Sequence, residues 1–324
     1  VARQVVWPVN ESALGVVMTS PIAGTNSMYI RLDGNNAFNM RMKPKKYEVG
    51  YGGGVPTKVI RGADSYETVG VLKTQLYPVQ AQMLMSWAAV PINTGQTSPW
   101  PTSEIAGDLA SNSVYFGYQR SDGTFRRRRA PGCKVSGWSL SCSRQDPILR
   151  ASFTLVAQKM VGNEVDSSSD PNGTEFPFPT DDTSYPTGPY LFSHTSGNLT
   201  IGTSRTQFES IQIDVQNVVK SPPFDQKFPQ LVRYLGRSQS TLKAKLNLKA
   251  SPDDRVNFES QTAMSASVEW NNGTHTFTLN FNGNNVIDDI GDDFPDEDIY
   301  EYDLTLANLR DTSSTSNDIA LSFT

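Results

Sequence analysis

Residues able to do covalent or metal chemistry are sparse in this chain, and their spacing is poor for it. The 324 residues include two histidines, His194 and His275, and two cysteines, Cys133 and Cys142. A structural zinc site gathers about four nitrogen and sulfur ligands at short, fixed spacings. Neither histidine has a cysteine or a second histidine so placed. A serine nucleophile on a strand-to-helix elbow needs Gly-x-Ser-x-Gly, which the chain lacks. A cysteine nucleophile needs a base within reach, and neither histidine is near either cysteine in sequence. His194 sits in a Ser/Thr/Gly stretch, whereas period two puts His275 with Phe277, Leu279 and Phe281, a partly buried strand position. Gly52–Gly54 lacks the Gly-Lys-Ser/Thr of a phosphate loop and reads as a turn. The residues predict no catalytic set, no cofactor and no metal.

Charge is the more informative chemistry. Residues 1–162 carry 18 basic and 9 acidic side chains, and residues 163–324 carry 10 and 24, so halves of +9 and −14 make a chain of −5. The acid concentrates in "IDDIGDDFPDEDIYEYD", with Asp288, Asp289, Asp292, Asp293, Asp296, Glu297 and Asp298. It lacks the alternating oxygen ligands of an EF-hand loop and the placed pair of a glycosidase. The basic counterpart is "FRRRRAPG", with Arg126, Arg127, Arg128 and Arg129. Phosphate binding is one reading. The preferred one is that one copy's arginines meet a neighbour's acids, in a contact weakened by salt.

The elements that must carry these charges are mostly strands. In "GCKVSGWSLSCSRQDPILRASFTLVAQKM", Trp138, Leu140 and Cys142 share one face. After a polar turn, Leu149, Ala151, Phe153, Leu155 and Ala157 share the returning one. Cys133 and Cys142 are nine apart, hence on opposite faces of a continuous strand, with Cys142 the core residue of two free thiols. "SVYFGYQRSDGTFRRRR" reads as a hairpin, and so does "ASVEWNNGTHTFTLNF", which turns at Asn272-Gly273 and buries Phe277 and Leu279. "FESIQIDVQNVV", "TLKAKLNLKA" and "YEYDLTLANL" alternate as strands. Pro78 starts a helix whose stripe includes Val79, Met83 and the core residue Trp87. "KFPQLVRYLG" reads as a short helix between Pro229 and Gly236.

Four segments result: an irregular arm over 1–29, a β module over 30–162, a Ser/Asp/Pro-rich linker or loop over 163–190, and a second β module over 191–324. The same order of strands, helix and hairpin in both modules suggests duplication. No apolar run reaches the roughly eighteen residues of a membrane span, and the opening residues lack a secretory apolar core.

"GVLKTQLYPVQAQMLMSWAAV", the Cys133–Cys142 strand pair, and "FESIQIDVQNVV" followed by "LGRSQSTLKAKLNL" together resemble bacteriophage tail tube proteins of the long-tailed, non-contractile type, over roughly residues 46–310. The resemblance implies two packed antiparallel sheets with flanking helices, in rings whose inner sheets join into a barrel. It implies stacking of those rings into a tube that holds the tape measure protein and passes double-stranded DNA without reading its sequence. It implies a virion component made in the host cytoplasm. Two modules per chain suit a trimeric ring; one module with a decorating domain suits a hexamer. The competing readings are another β-rich virion part, such as a decoration or tail-completion protein, and a carbohydrate-binding or glycan-hydrolysing protein using its five tryptophans as platforms.

Overall fold

Alternating side chains build this protein, and the alternation starts earlier than the sequence reading placed it. The computed structural model describes residues 4–13, 16–17, 30–34, 37–50, 56–89, 109–119, 125–161, 188–192, 198–205, 208–220, 232–247, 253–293, 301–309 and 319–324. In chain order the first half holds β1 (Gln4–Ala13), β2 (Val16–Val17), β3 (Phe38–Gly50), β4 (Pro56–Gln75), α1 (Pro78–Ala88), β5 (Asn112–Gln119), β6 (Phe125–Ser143) and β7 (Arg150–Ala157). The second half holds β8 (Leu199–Ile201), β9 (Thr203–Arg205), β10 (Phe208–Lys220), β11 (Arg233–Asn247), α2 (Asp254–Ser260), β12 (Met264–Asn271), β13 (Thr276–Asp293), β14 (Glu301–Leu309) and β15 (Ile319–Phe323). The fold is mainly β, as expected, and every ladder among the described residues is antiparallel.

One wiring occurs twice. In the first half β3 pairs β4, β4 pairs β7, and the long β6 pairs β5 through its first part and β7 through its second. In the second half β10 pairs β11, β11 pairs β14, and the long β13 pairs β12 and then β14 in the same way. Both long strands carry an extra residue at the same step of the ladder, between Val135 and Gly137 and between Ile287 and Asp289. The halves meet where β6 pairs β10, making one run of eight strands, β3-β4-β7-β6-β10-β11-β14-β13.

Smaller flaps, β2-β1-β5 and β9-β8-β12, fold over this run. Phe116 of β5 meets Phe38 of β3 at 5.0 Å between ring centroids. Trp270 Nε1 of β12 donates to Cys142 Sγ of β6 at 3.4 Å. The core between the layers includes the fully buried Phe153, Leu155, Ile213, Leu279 and Leu304, with Trp138, Leu140 and Leu242 almost so. Each such side chain contributes about 1.5–3 kcal/mol by leaving water. Phe277 stacks between Trp270 (5.2 Å) and Phe323 (4.8 Å).

Several expectations change. The lead-in is not irregular over Gln4–Ala13: Gln4 to Asn10 pair along β5, and Glu11 and Ala13 pair with β2. The stretch expected as a linker lies outside the described residues over 162–187. Its end belongs to the core: Tyr190 is fully buried, donates its N–H to Leu76 O at 2.8 Å and accepts from Leu149 N at 3.0 Å. Leu191 exchanges backbone bonds with Asn271, so with Tyr190 held by Leu76 and Leu149 this stretch ties both halves together. The expected helix around Pro229 is outside the described residues up to residue 231, and Arg233–Gly236 is strand. Pairing of Arg233 and Tyr234 with Lys220 and Val219 overrides local helix propensity there. α2 was not expected at all.

The two cysteines also depart from expectation, for a clear reason. Both are buried. The extra residue at Ser136 shifts the alternation by one, so an odd spacing returns to the same face.

Candidate functional site

Alternation leaves the outer face of the eight-strand run polar and of mixed sign. It presents Asn39, Arg41 and Lys43 on β3, Lys73 on β4, Arg150, Ser152 and Thr154 on β7, and Ser139 and Ser141 on β6, all exposed or half-buried. Gln212, Asp214 and Gln216 follow on β10, Lys243 and Lys245 on β11, Asp303 and Thr305 on β14, and Asp289 on β13. Cations are set near anions along the ladders. Lys245 lies opposite Asp303, and Arg150 pairs with Asp146 at 2.8 Å and with Asp33. These carboxylates raise the Arg150 pKa.

The described part of the acidic run lies on β13, at the end of the sheet. Asp288 is the extra residue of the bulge, and Asp289 resumes the alternation; both are exposed. Asp292 and Asp293 continue β13 opposite Tyr302 and Glu301. Asp296, Glu297 and Asp298 lie outside the described residues. Beyond residue 285, β13 pairs β14 on one side, and no strand among the described residues takes its other edge. At the opposite end, β3 pairs β4, and no described strand takes its other edge either. A strand edge exposes unpaired N–H and C=O groups and is a ready template for another chain.

The arginine run lies elsewhere. Arg126, Arg127, Arg128 and Arg129 pair along β5 with Tyr118, Gly117, Phe116 and Tyr115. Arg128 is exposed, while Arg129 is half-buried, its guanidinium 5.9 Å from the Tyr115 ring and its Nη1 3.4 Å from the Tyr115 hydroxyl. Strands β6 and β13 are four ladder steps apart, about 19 Å along the sheet at the usual strand spacing. Within one chain the structure does not bring the two runs together.

The groups that could do covalent chemistry are placed for packing. Burial pushes the Cys142 thiol up to about 11, against a weaker opposing effect of the Trp270 hydrogen bond. Burial, with the Glu11 carboxylate adding to it, pushes Cys133 well above its ordinary value. His275 is partly buried but sits in the β12–β13 turn, where its N–H reaches Asn272 Oδ1 at 2.8 Å, and not in a strand as expected. His194 lies outside the described residues, as does Trp100. Trp7, Trp87, Trp138 and Trp270 are all buried and cannot serve as sugar platforms. Among the described residues no cluster of His, Cys, Asp and Glu could hold a metal ion.

Both thiols should therefore stay unmodified by Ellman's reagent in the native chain at pH 8 and react fully in denaturant. A fast native reaction would place either one at an accessible surface. The unfolded thiols ionise near their ordinary value of 9.0 and the folded Cys142 near 11. Above pH 9 the unfolded chain thus binds fewer protons, and stability should fall between pH 9 and 11.

The sequence reading missed two sets of residues. Arg41 and Lys43 were legible in the alternation Phe38-Asn39-Met40-Arg41-Met42-Lys43, in which Phe38 and Met40 are buried and the polar three exposed. The buried pair Arg205–Asp254 had no sequence pattern, because its partners are 49 residues apart.

A family model described as phage tail tube protein matches residues 10–319. No curated protein matches the chain.

Proposed function

The chain belongs to the phage tail tube protein family and is a structural component of the virion tail, and from that premise we propose how it builds the tube. Chains associate side by side into a closed ring, and the rings stack. The eight-strand run forms the inner wall, its polar face turned to the channel. The channel holds the tape measure protein and later passes double-stranded DNA. The observation that supports this most is that a continuous sheet spans both halves and ends on each side at a strand whose outer edge no described strand takes.

The two halves act as two tube modules, residues 30–162 and 191–324, joined through 163–190 and preceded by the arm over 1–29. Three chains then present six modules per ring. A passing polyanion sticks to a continuous basic surface, and the wall avoids one by setting Lys245 against Asp303 and Asp214 near Lys243. The acidic run serves lateral contact between chains. Arg126, Arg127, Arg128 and Arg129, on the part of β6 that leaves the eight-strand run for β5, serve contact between stacked rings. The chain has no catalytic part in this scheme.

Negative-stain electron microscopy, with particle mass measured across concentration and salt, tests the proposal. Rings or tubes with a central channel are expected, with three chains per ring. Replacing Arg126–Arg129 by glutamine should leave rings but shorten stacks, as should high salt. A monomer under every condition would end the ring reading.

A further inference from the structure

The internal repeat carries a specific consequence for how one chain meets the next. Matching the two halves by their ladders makes β3 the counterpart of β10 and β6 the counterpart of β13. Phe38 opposite Leu72 corresponds to Ile211 opposite Ala244, and Leu72 opposite Phe153 corresponds to Ala244 opposite Leu304. The bulges then coincide, with Val135 matching Ile287 and Gly137 matching Asp289. Inside the chain the halves join by pairing β6 with β10, in the register Gly137–Gln216, Trp138–Val215, Ser139–Asp214, Leu140–Ile213 and Ser141–Gln212. The corresponding strands at the ends of the run are β13 and β3, whose outer edges no described strand takes.

We infer that β13 of one chain pairs antiparallel with β3 of a second copy, in the register Asp289–Lys43, Ile290–Met42, Gly291–Arg41, Asp292–Met40 and Asp293–Asn39. This rests on the ring reading above and names the surfaces that close the ring. The side chains of three of these pairs, Asp289–Lys43, Ile290–Met42 and Gly291–Arg41, agree with the transferred register. Lys43, Arg41 and Asn39 are exposed on β3, and Asp289 and Gly291 are exposed on β13, so polar face meets polar face. The half-buried Met42 meets Ile290, which already packs on the core. Lys43 lies directly opposite Asp289, where an opposite-charge pair is favourable. Arg41 lies opposite Gly291, which leaves room for the long side chain between the diagonal positions of Asp289 and Asp293.

A slip of one residue sets exposed positions of one strand against buried positions of the other. A slip of two keeps exposed positions together and sets Arg41 opposite Asp289 or Asp293, so it is the repeat, not charge alone, that selects this register. The junction inside the chain differs in a telling way. Asp214 faces Ser139 there, with no cation opposite. A covalently joined pair of modules needs no steering, whereas two separate chains gain encounter rate and register from opposite charges.

Disulfide trapping in the full chain tests the register. The double variant Arg41→Cys with Gly291→Cys should form reducible intermolecular cross-links under mild oxidation, closing into a ring-sized product. A side chain at Gly291 is tolerated, since its Cβ would meet only Asp303 Cβ at 3.8 Å. Lys43→Cys with Asp293→Cys, four positions out of step, should not cross-link. Independently, Lys43→Glu should raise the concentration needed for ring formation by roughly tenfold or more. Adding Asp289→Lys to the same chain should restore it, with circular dichroism checking that each variant folds. Rings that form without the Arg41–Gly291 cross-link, or that ignore the charge swap, would overturn this junction and leave the ring reading standing. An unmodified chain that never associates would overturn the ring reading itself, and this junction with it.

Discussion

Asp254→Ala should lower the stability of the unassembled chain by about 3–5 kcal/mol. Asp254 and Arg205 are 3% and 2% exposed, so neither charge is solvated by water. Arg205 Nη2 donates to Asp254 Oδ1 at 2.6 Å and Nη1 to Oδ2 at 3.0 Å, a two-pronged pair. Its Nε and Nη2 also reach Ile201 O, at 3.2 and 2.8 Å. Removing the carboxylate leaves a buried guanidinium without its counter-ion, and that orphaned charge is the source of the cost. The pair fixes the first turn of α2 to β9, and α2 in turn lies against β13, whose outer edge is the proposed junction. Loss of the pair should therefore also loosen ring formation. Urea unfolding measures the effect. Arg205→Met combined with Asp254→Leu should recover most of the loss, because burying two apolar groups removes the desolvation cost with the pair. A single variant that unfolds at the same urea concentration as the unmodified chain would mean that water reaches the pair.

How much could be read in advance follows from which physics is local. The strands Trp138–Cys142 and Ala151–Ala157 were legible because each has a wet face and a dry face, and period two records that directly. Pro78 marked the start of α1 for an equally local reason, a fixed φ and no N–H to lose. What failed depended on partners distant in sequence. The bulge at Ser136 is a property of the β6–β7 ladder, and it reversed the expected facing of Cys133. Arg233–Gly236 is strand because β10 pairs with it. Tyr190 looked like part of a polar linker, yet it is pinned by Leu76 and Leu149 from the other half. Of the candidate assembly residues, the acidic run was visible as composition. The arginine run was visible in the same way. Arg41 and Lys43, the cations of the proposed junction, were not singled out, because their relation to Asp289 comes only from comparing the ladder registers of the two halves.

Trp87→Ala should be as costly as the loss of Asp254, about 3–5 kcal/mol, and for a different reason. Trp87 is fully buried in the last turn of α1, and its Nε1 donates to Cys133 O at 3.0 Å. Truncation opens a cavity in a core that packs on both β6 and β15, and it strips a buried carbonyl of a donor. The position matters beyond packing. The next residue, Ala88, offers its carbonyl to Asn217 Nδ2 of β10 at 2.8 Å, and the same amide reaches Val135 O of β6 at 3.1 Å. One buried amide thus clamps the helix end to both strands of the junction between modules. Trp87→Phe separates the contributions: it keeps most of the apolar contact and loses the hydrogen bond, so it should cost about 1–2 kcal/mol. Asn217→Ala should cost about as much as Trp87→Phe while leaving the helix packed. If Trp87→Ala costs under about 1 kcal/mol in denaturant titration, the core around α1 collapses freely, and the helix does not brace the β6–β10 junction. If the cost is as stated, the intrachain junction is braced from behind by an element that its proposed counterpart between chains has in shorter form. α2 is 7 residues long against 11 for α1, and Gln261, just past its end, reaches Ile287 O at 3.3 Å. That carbonyl is the counterpart of the Val135 carbonyl held by Asn217. The closing junction is thus the less braced of the two, which fits a contact that must form between separate chains and find its register by charge.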